Sequence, residues 1–141
     1  MPPLAAQLQR FLPHLTFCEN EPLARHTRFA LGGPARWLID VHQPDILPEL
    51  VPVLEEADLP WLTLGGGSNL IVADAGYAGI VLRFTGRTIR HENGLTTAEA
   101  GAVWQDVVDF HTNHALAGME RMTAIPGWLG GALYGNAGAY G

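Results

Sequence analysis

Three consecutive glycines followed by two small polar residues, Gly65-Gly66-Gly67-Ser68-Asn69, come directly after the apolar segment Trp61–Leu64. Glycine has no Cβ, so its backbone N–H groups can approach a ligand closely and can adopt positive φ. Successive N–H groups that point into one concavity bind anions, and Ser68 and Asn69 add a hydroxyl and an amide donor. This pattern favours a phosphate or pyrophosphate site, and a tight loop between two core strands explains it equally well.

A second glycine-rich segment runs from Ile125 to Tyr134, with the sequence IPGWLGGALY. The order of its residues predicts a turn that enters a helix, whose first N–H groups are unpaired and lie at the positive end of the helix dipole. Helix N-termini bind phosphate for this reason. The following NAGAYG adds another loop that permits close approach. Neither segment is a Rossmann G-x-G-x-x-G motif, and together they predict a pyrophosphate held between two backbone surfaces.

Composition excludes several classes of function. The chain has 141 residues and a net charge of −6, and its eight basic residues are all arginine, scattered along the sequence. This argues against nucleic acid as a partner, and the lack of lysine removes a Walker-type phosphate loop and Schiff-base chemistry. Ser68 is the only serine and does not lie in the nucleophile motif of serine hydrolases. We expect no metal site and no membrane span, and a cytoplasmic protein is the default prediction.

Periodicity of the apolar residues predicts the elements that position these loops. In the first part of the chain we expect a short helix over Gln7–Leu15 that ends near Pro13, and a helix over Asp45–Asp58 that Pro52 shortens or kinks. Strands are predicted over Ala35–Val41, Pro60–Leu64 and Gly79–Phe84.

In the last part of the chain, Asn93-Gly94 predicts the turn of a hairpin between residues 88–90 and 96–98. A helix is expected over Val103–Leu116, with Gly118 at its C-terminal cap. Helices and strands alternate around an antiparallel hairpin, which indicates an α+β or mixed α/β fold.

Four segments, in this order and spacing, resemble the UDP-N-acetylenolpyruvoylglucosamine reductases, which belong to the FAD-binding superfamily of vanillyl-alcohol oxidase type. They are HTRFALGGPARWLI, LGGGSNLIVADAGYAGIVLR, AGAVWQDVV and LAGMERMTAIPGWLGGALYGNAGAYG. The resemblance runs from about Thr27 to Gly141, and the combination of GGGSN with IPGxxGG and NAGAYG makes it specific. His26 is a departure, because the family usually has an asparagine there.

The resemblance implies an α+β FAD-binding fold. Residues 1–84 would form the first FAD-binding subdomain and residues 85–141 the beginning of the second, with the substrate domain absent. FAD would be the cofactor, NADPH the hydride donor and the enolpyruvyl ether of a UDP-sugar the substrate. The product, UDP-N-acetylmuramate, serves peptidoglycan synthesis and hence cell shape and cell division. The implied cofactor-binding residues are Gly65, Gly66, Gly67, Ser68, Asn69, Ile125, Pro126, Gly127, Gly130, Gly131, Asn136, Gly138, Ala139 and Tyr140.

The family's catalytic residues, a proton donor and the groups that bind the substrate carboxylate, are expected beyond residue 141. The resemblance therefore predicts a fragment or truncated product that binds FAD weakly and does not turn over by itself. Two alternatives remain, another flavoprotein of the same superfamily and an inactive remnant. The sequence does not indicate an oligomeric state.

Four other residues need an interpretation. His111 and His114 are three apart on a predicted helix, and metal binding there is disfavoured because metal-binding pairs are usually four apart with a carboxylate partner. Arg83 and Arg87 follow a predicted strand and could meet a phosphate, but solvated surface is the preferred interpretation.

Overall fold

The first 85 residues fold around a mixed four-stranded sheet. The structure, a computed structural model, describes residues 3–138, and the chain divides into two compact units, residues 1–85 and 86–141. In the first unit, β1 pairs antiparallel with β2, whereas β4 is parallel to both β2 and β3, giving the order β1-β2-β4-β3. The strands are β1 Leu15–Pro22, β2 Pro34–Val41, β3 Trp61–Thr63 and β4 Tyr77–Phe84.

Two helices cover one face of this sheet. They are α1 Leu4–Leu8 and α2 Leu47–Glu55, and their side chains pack with alternate residues of β2 and β4. These residues form the larger core: Leu8, Phe11, Leu15, Trp37, Ile39, Val41, Leu50, Val53, Leu54, Ile80 and Leu82. Because successive side chains of a strand point to opposite faces, the residues between them, such as Leu38 and Val81, belong to a second core with Leu23, Ala35 and Leu64.

The second unit combines a hairpin with two helices. Strands β5 Ile89–Glu92 and β6 Leu95–Ala98 pair antiparallel. Asn93 and Gly94 at the turn have φ of 53° and 78°, as a two-residue hairpin turn of this type requires. The helices are α3 Trp104–Asn113 and α4 Leu129–Tyr134. Trp104, Val108 and Ala132 form the buried core of this unit.

The predicted class and most predicted elements are confirmed. Helices and sheets occur together in an α+β arrangement, and the three predicted strands, the hairpin and the α3 helix are present. The Asp45–Asp58 helix is shorter than predicted, since a 3₁₀ turn precedes it at Pro44–Ile46 and the helix ends at Glu55 with Pro52 inside it. No helix within residues 3–138 has the length and apolar character needed to cross a membrane.

The prediction for the N-terminal segment was wrong. The helix expected over Gln7–Leu15 lies earlier, at Leu4–Leu8 with a 3₁₀ turn over Gln9–Phe11, and Leu15 already begins β1. Leu12 adopts extended φ and ψ of −66° and 141° because the ring of Pro13 disfavours a helical conformation of the preceding residue. Strand β1 was not predicted, because its second half, with Glu19 and Asn20, lacks an apolar pattern.

Candidate functional site

The first glycine loop is fixed by packing at its third glycine. Gly67 is buried and has φ of +61°, and a Cβ built on it would lie 2.0 Å from the carbonyl oxygen of His26. The N–H of Arg28 donates to the Gly67 carbonyl at 3.0 Å. A side chain at this position would therefore collide with backbone, and the structure itself explains why residue 67 is glycine.

The rest of this loop is more accessible. Leu64 is anchored, since its N–H donates to the carbonyl of Leu82 at 2.9 Å, whereas Gly65, Gly66 and Ser68 are half-buried and Asn69 is exposed. Packing accounts for one residue of the loop, and the cofactor role of the other four remains a prediction.

A largely buried ion pair lies on the same face of the sheet as the second core. Arg83 and Asp40 are register partners on β4 and β2, and Arg83 donates from Nε to Asp40 Oδ1 at 2.7 Å and from Nη2 to Oδ2 at 2.5 Å. The side chains are only 13% and 18% exposed. The preference for a solvated Arg83 was therefore wrong: the residue alternation of β4 directs it to the face where Asp40 offers a bidentate partner.

His26 extends this pair into a chain of contacts. Arg83 Nη1 lies 2.6 Å from His26 Nδ1, and His26 Nε2 lies 3.0 Å from Glu21 Oε1. A guanidinium can only donate and a carboxylate only accept. The contacts therefore assign the neutral tautomer to His26, with the proton on Nε2, and connect Glu21, His26, Arg83 and Asp40 in one network.

The second glycine-rich segment differs from its prediction in one respect. The N–H groups of Leu129 and Gly130, expected to be unpaired, donate to the carbonyls of Ala102 and Ala100, each at 2.8 Å. Residues 100–104 run beside the turn, because Val103 and Trp128 form a bridge and the Trp104 N–H donates to the Gly127 carbonyl. Tertiary pairing has thus used two of the donors that the sequence assigned to a ligand.

Different structural features explain why different positions of this segment are glycine. Gly127 has φ of +117°, which disfavours any other residue, and a Cβ on Gly130 would lie 3.0 Å from the Cβ of Ala100. Gly131 is exposed and a Cβ on it would meet no protein atom within 4 Å. Within residues 3–138, neither packing nor backbone conformation explains glycine at position 131.

Asn136 ends the α4 helix. Its φ is 46°, its N–H donates to the Leu133 carbonyl and the next N–H, of Ala137, donates to Ala132. These two bonds form a Schellman motif, in which asparagine tolerates the left-handed conformation. Gly138 is exposed, and a Cβ on it would also meet nothing within 4 Å. The predicted residues Ala139 and Tyr140 lie outside the described residues.

Other side chains near this segment have local partners. Ile125 packs against the core of the second unit, whereas Pro126 is exposed. The Arg87 guanidinium lies over the Trp128 ring, 5.5 Å from its centroid. The Glu120 carboxylate accepts from the Gly118 N–H at 2.9 Å; hydrogen bonds from its own backbone and from Gly118 lower the pKa of Glu120.

The two histidines of α3 bond to their own helix. His111 Nδ1 lies 2.8 Å from the Val107 carbonyl and His114 Nδ1 lies 2.8 Å from the Phe110 carbonyl. A carbonyl only accepts, so both Nδ1 atoms carry the proton. Within residues 3–138, no three His, Cys, Asp or Glu side chains are grouped so that they could hold a metal ion.

Sequence reasoning missed an apolar cavity of about 220 Å³ in the first unit. It lies beside the residues that follow the glycine loop, and its lining includes Leu64, Leu70, Val72, Tyr77 and Val81. The alternation of Leu70 and Val72 with more exposed neighbours was the available signal, but no strand forms there.

Comparison with known proteins gives consistent matches. Residues 36–141 match the family model described as FAD binding domain. Curated relatives named UDP-N-acetylenolpyruvoylglucosamine reductase include those of Solibacter usitatus, 42% identical over 92% of this chain and 42% of the relative, and Streptococcus pyogenes serotype M5, 43% identical over 87% of this chain and 42% of the relative. The chain thus spans about two fifths of the length of these relatives.

A solved structure has a similar fold. The crystal structure of UDP-N-acetylenolpyruvylglucosamine reductase from Thermus caldophilus superimposes with a TM-score of 0.68 at 29% sequence identity. The match covers 89% of this chain and 43% of that chain.

Proposed function

The chain belongs to the family of FAD binding domains, and from that premise we propose that it forms the FAD-binding portion of a reductase that converts UDP-N-acetylglucosamine enolpyruvate to UDP-N-acetylmuramate. The observation that carries this proposal is 42% identity over 130 residues, 92% of this chain, to a relative named UDP-N-acetylenolpyruvoylglucosamine reductase. The two compact units would be the first FAD-binding subdomain and the beginning of the second.

The described residues fit a flavin dinucleotide in two respects. At Gly131 the backbone is exposed, and no packing contact among the described residues requires glycine, since a Cβ would meet none of their atoms within 4 Å. In the first loop, Gly65, Gly66 and Ser68 remain half-buried and Asn69 exposed, so they can offer donors to a pyrophosphate. Each of these two loops, taken by itself, offers exposed backbone of the kind that binds a phosphate group.

The residues proposed to hold FAD are therefore those at the two loops. Gly67, Gly130 and Asn136 act there through the shape of the backbone, because each has a structural reason described above. Gly65, Gly66, Ser68, Asn69 and Gly131 would approach the cofactor itself, and Ile125, Pro126, Gly127, Gly138, Ala139 and Tyr140 complete the proposed set.

Bound FAD would supply the hydride-transfer chemistry, and the protein position and electrostatics. We propose NADPH as the hydride donor and the UDP-sugar as the substrate, in the cytoplasm and in the service of cell wall synthesis, cell shape and division. The two loops of this chain would bind and orient the cofactor. No residue within the described part is proposed as catalytic.

Titration of the purified chain with FAD, followed by quenching of flavin fluorescence, tests the proposal. We expect saturable binding that ADP competes with, because ADP shares the adenosine and pyrophosphate of FAD, and that riboflavin, which lacks both, does not. Gly66→Val is expected to weaken binding, since a branched side chain keeps the loop backbone away from the ligand. Competition by riboflavin but not by ADP would contradict recognition of the pyrophosphate.

A further inference from the structure

The segment that supports the first glycine loop is held by a side-chain network on the sheet. Residues 26–28 lie directly against Gly67: the His26 carbonyl oxygen is 2.0 Å and the Thr27 Cα 2.9 Å from the position of a Cβ on Gly67. The Arg28 N–H donates to the Gly67 carbonyl at 3.0 Å. We call residues 26–28 the platform. The position of this loop depends on the position of the platform.

The platform has little regular secondary structure that could hold it in place. Its first residue, His26, is the last residue of a 3₁₀ turn, Leu23–His26, and no strand or α-helix includes residues 26–28. Thr27 is buried and its Oγ1 donates to the Leu31 carbonyl at 2.9 Å, which closes the next turn locally. A bond from the platform to the sheet must therefore come from a side chain.

His26 provides that bond. Its side chain is 16% exposed, and Nδ1 accepts from Arg83 Nη1 at 2.6 Å while Nε2 donates to Glu21 at 3.0 Å. Arg83 is in turn fixed by its bidentate contact with Asp40. Two opposite edges of the imidazole are thus bound, so the ring and the backbone carbonyl it belongs to have little freedom to move.

We propose that His26 is a positioning residue for the cofactor: the Asp40–Arg83 pair holds its ring, and the ring in turn holds the platform, whose Arg28 N–H bonds to Gly67 in the loop that begins at Gly65. The effect on FAD rests on the proposed function. The effect on the loop does not, because it follows from contacts within the first unit alone.

Two substitutions separate the two edges of the imidazole. His26→Asn places an amide oxygen near the site of Nδ1 and so keeps an acceptor for Arg83. His26→Gln places its amide nitrogen near the site of Nε2, keeps a donor for Glu21 and loses the acceptor for Arg83. Both variants are polar and of similar size, so general stability differs little between them, and circular dichroism confirms that each is folded.

Two measurements are made on each variant of the full 141-residue chain. Amide hydrogen exchange of Arg28 reports whether the loop is docked on the platform, since that N–H donates to Gly67. Fluorescence titration gives the dissociation constant for FAD. We expect His26→Gln to lose the protection of Arg28 and to weaken FAD binding about tenfold, the size of one hydrogen bond to a charged group. His26→Asn is expected to retain both properties, and the β5–β6 amides serve as an internal reference.

Three results would overturn the proposal. Protection and affinity unchanged in His26→Gln would show that the ring does not position the loop. Loss of both in His26→Asn would show that the contact with Arg83 is not the link. Loss of affinity with Arg28 still protected would mean that His26 acts on the cofactor by another route. If the parent chain does not bind FAD, the proposed function fails, and the exchange of Arg28 in the two variants still decides whether His26 positions the loop.

Discussion

Gly67 lies so close to His26 that a Cβ on the glycine would be 2.0 Å from the carbonyl oxygen of the histidine. This contact is between two backbones, so no side-chain rotation can relieve it. In addition, Gly67 has a φ of +61°, a left-handed conformation that costs residues other than glycine free energy.

Gly67→Ala is therefore expected to destabilise the fold by about 3 kcal/mol or more, the sum of overpacking and left-handed strain. The measurement is the free energy of unfolding in urea. Gly94→Ala is the matched control, because Gly94 has φ of +78° and nothing within 4 Å of an added Cβ. Gly94→Ala isolates the backbone strain and should lower the free energy of unfolding by about 1 to 2 kcal/mol. Equal losses in the two variants would contradict the steric argument.

Arg83→Met should destabilise the first unit by about 3 kcal/mol, because it leaves the largely buried Asp40 carboxylate without its bidentate partner. Asp40→Leu combined with Arg83→Met removes both charges, and we expect the double variant to be more stable than Arg83→Met alone. The comparison is a double-mutant cycle by urea denaturation. Additive losses from the two substitutions would show that the pair does not couple.

The end of α3 provides a third prediction. The left-handed residue there is Ala115, with φ of 54°, and not Gly118 as the sequence suggested. The Ala115 N–H donates to Thr112 and the Leu116 N–H to His111, which forms a Schellman motif that normally carries glycine. Ala115→Gly should raise the free energy of unfolding by about 0.5 to 1 kcal/mol. Glycine relieves the left-handed strain, and the greater backbone entropy of glycine in the unfolded chain offsets part of that gain.

Gly118→Ala is the complementary variant. Gly118 has φ of +110° with open space around an added Cβ, so strain alone should lower the free energy of unfolding by about 1 kcal/mol or more. The two substitutions thus exchange the same two residue types with opposite expected signs, measured in the same denaturant titration. A loss of stability in Ala115→Gly would show that this helix does not end as described.

Gly131→Ala should separate stability from cofactor binding. Gly131 is in α4 and its surroundings leave room for a Cβ, so alanine should stabilise the helix by about 0.5 to 1 kcal/mol. If FAD approaches this backbone as proposed, the same methyl group should weaken FAD binding. Thermal unfolding and fluorescence titration give the two quantities.

Leu133→Ala is the control for this test. Leu133 lies in the same helix, is 68% exposed, and is two residues away, which places it on a different side of the helix from Gly131. It should leave FAD affinity unchanged. A Gly131→Ala variant that is more stable and binds FAD as tightly as the parent would remove Gly131 from the proposed site.

Elements with a strong local pattern could be predicted from the sequence. The apolar runs of β2 and β4, the Asn93-Gly94 turn and the spacing of α3 each depend on residues close together in the chain, and each is present. Strand β1 could not be predicted, because it forms by pairing with β2 through residues 12 to 26 positions away, such as Pro22 with Pro34 and Leu15 with Val41. Its polar second half carries no signal of its own.

The candidate site likewise has some features that the local sequence predicts and others that depend on distant residues. By itself, the sequence determined where glycines are concentrated and the order of the motifs, and therefore the resemblance to FAD-binding reductases. It could not determine which glycines are needed for packing. Gly67 and Gly130 are placed against His26 and Ala100 by contacts between distant segments, whereas nothing in the described structure fills the space beside Gly131. Only the tertiary structure decides this, because the absence of a Cβ has the same local effect on the chain at every glycine, and what lies within 4 Å of it depends on residues that the sequence neighbourhood does not contain.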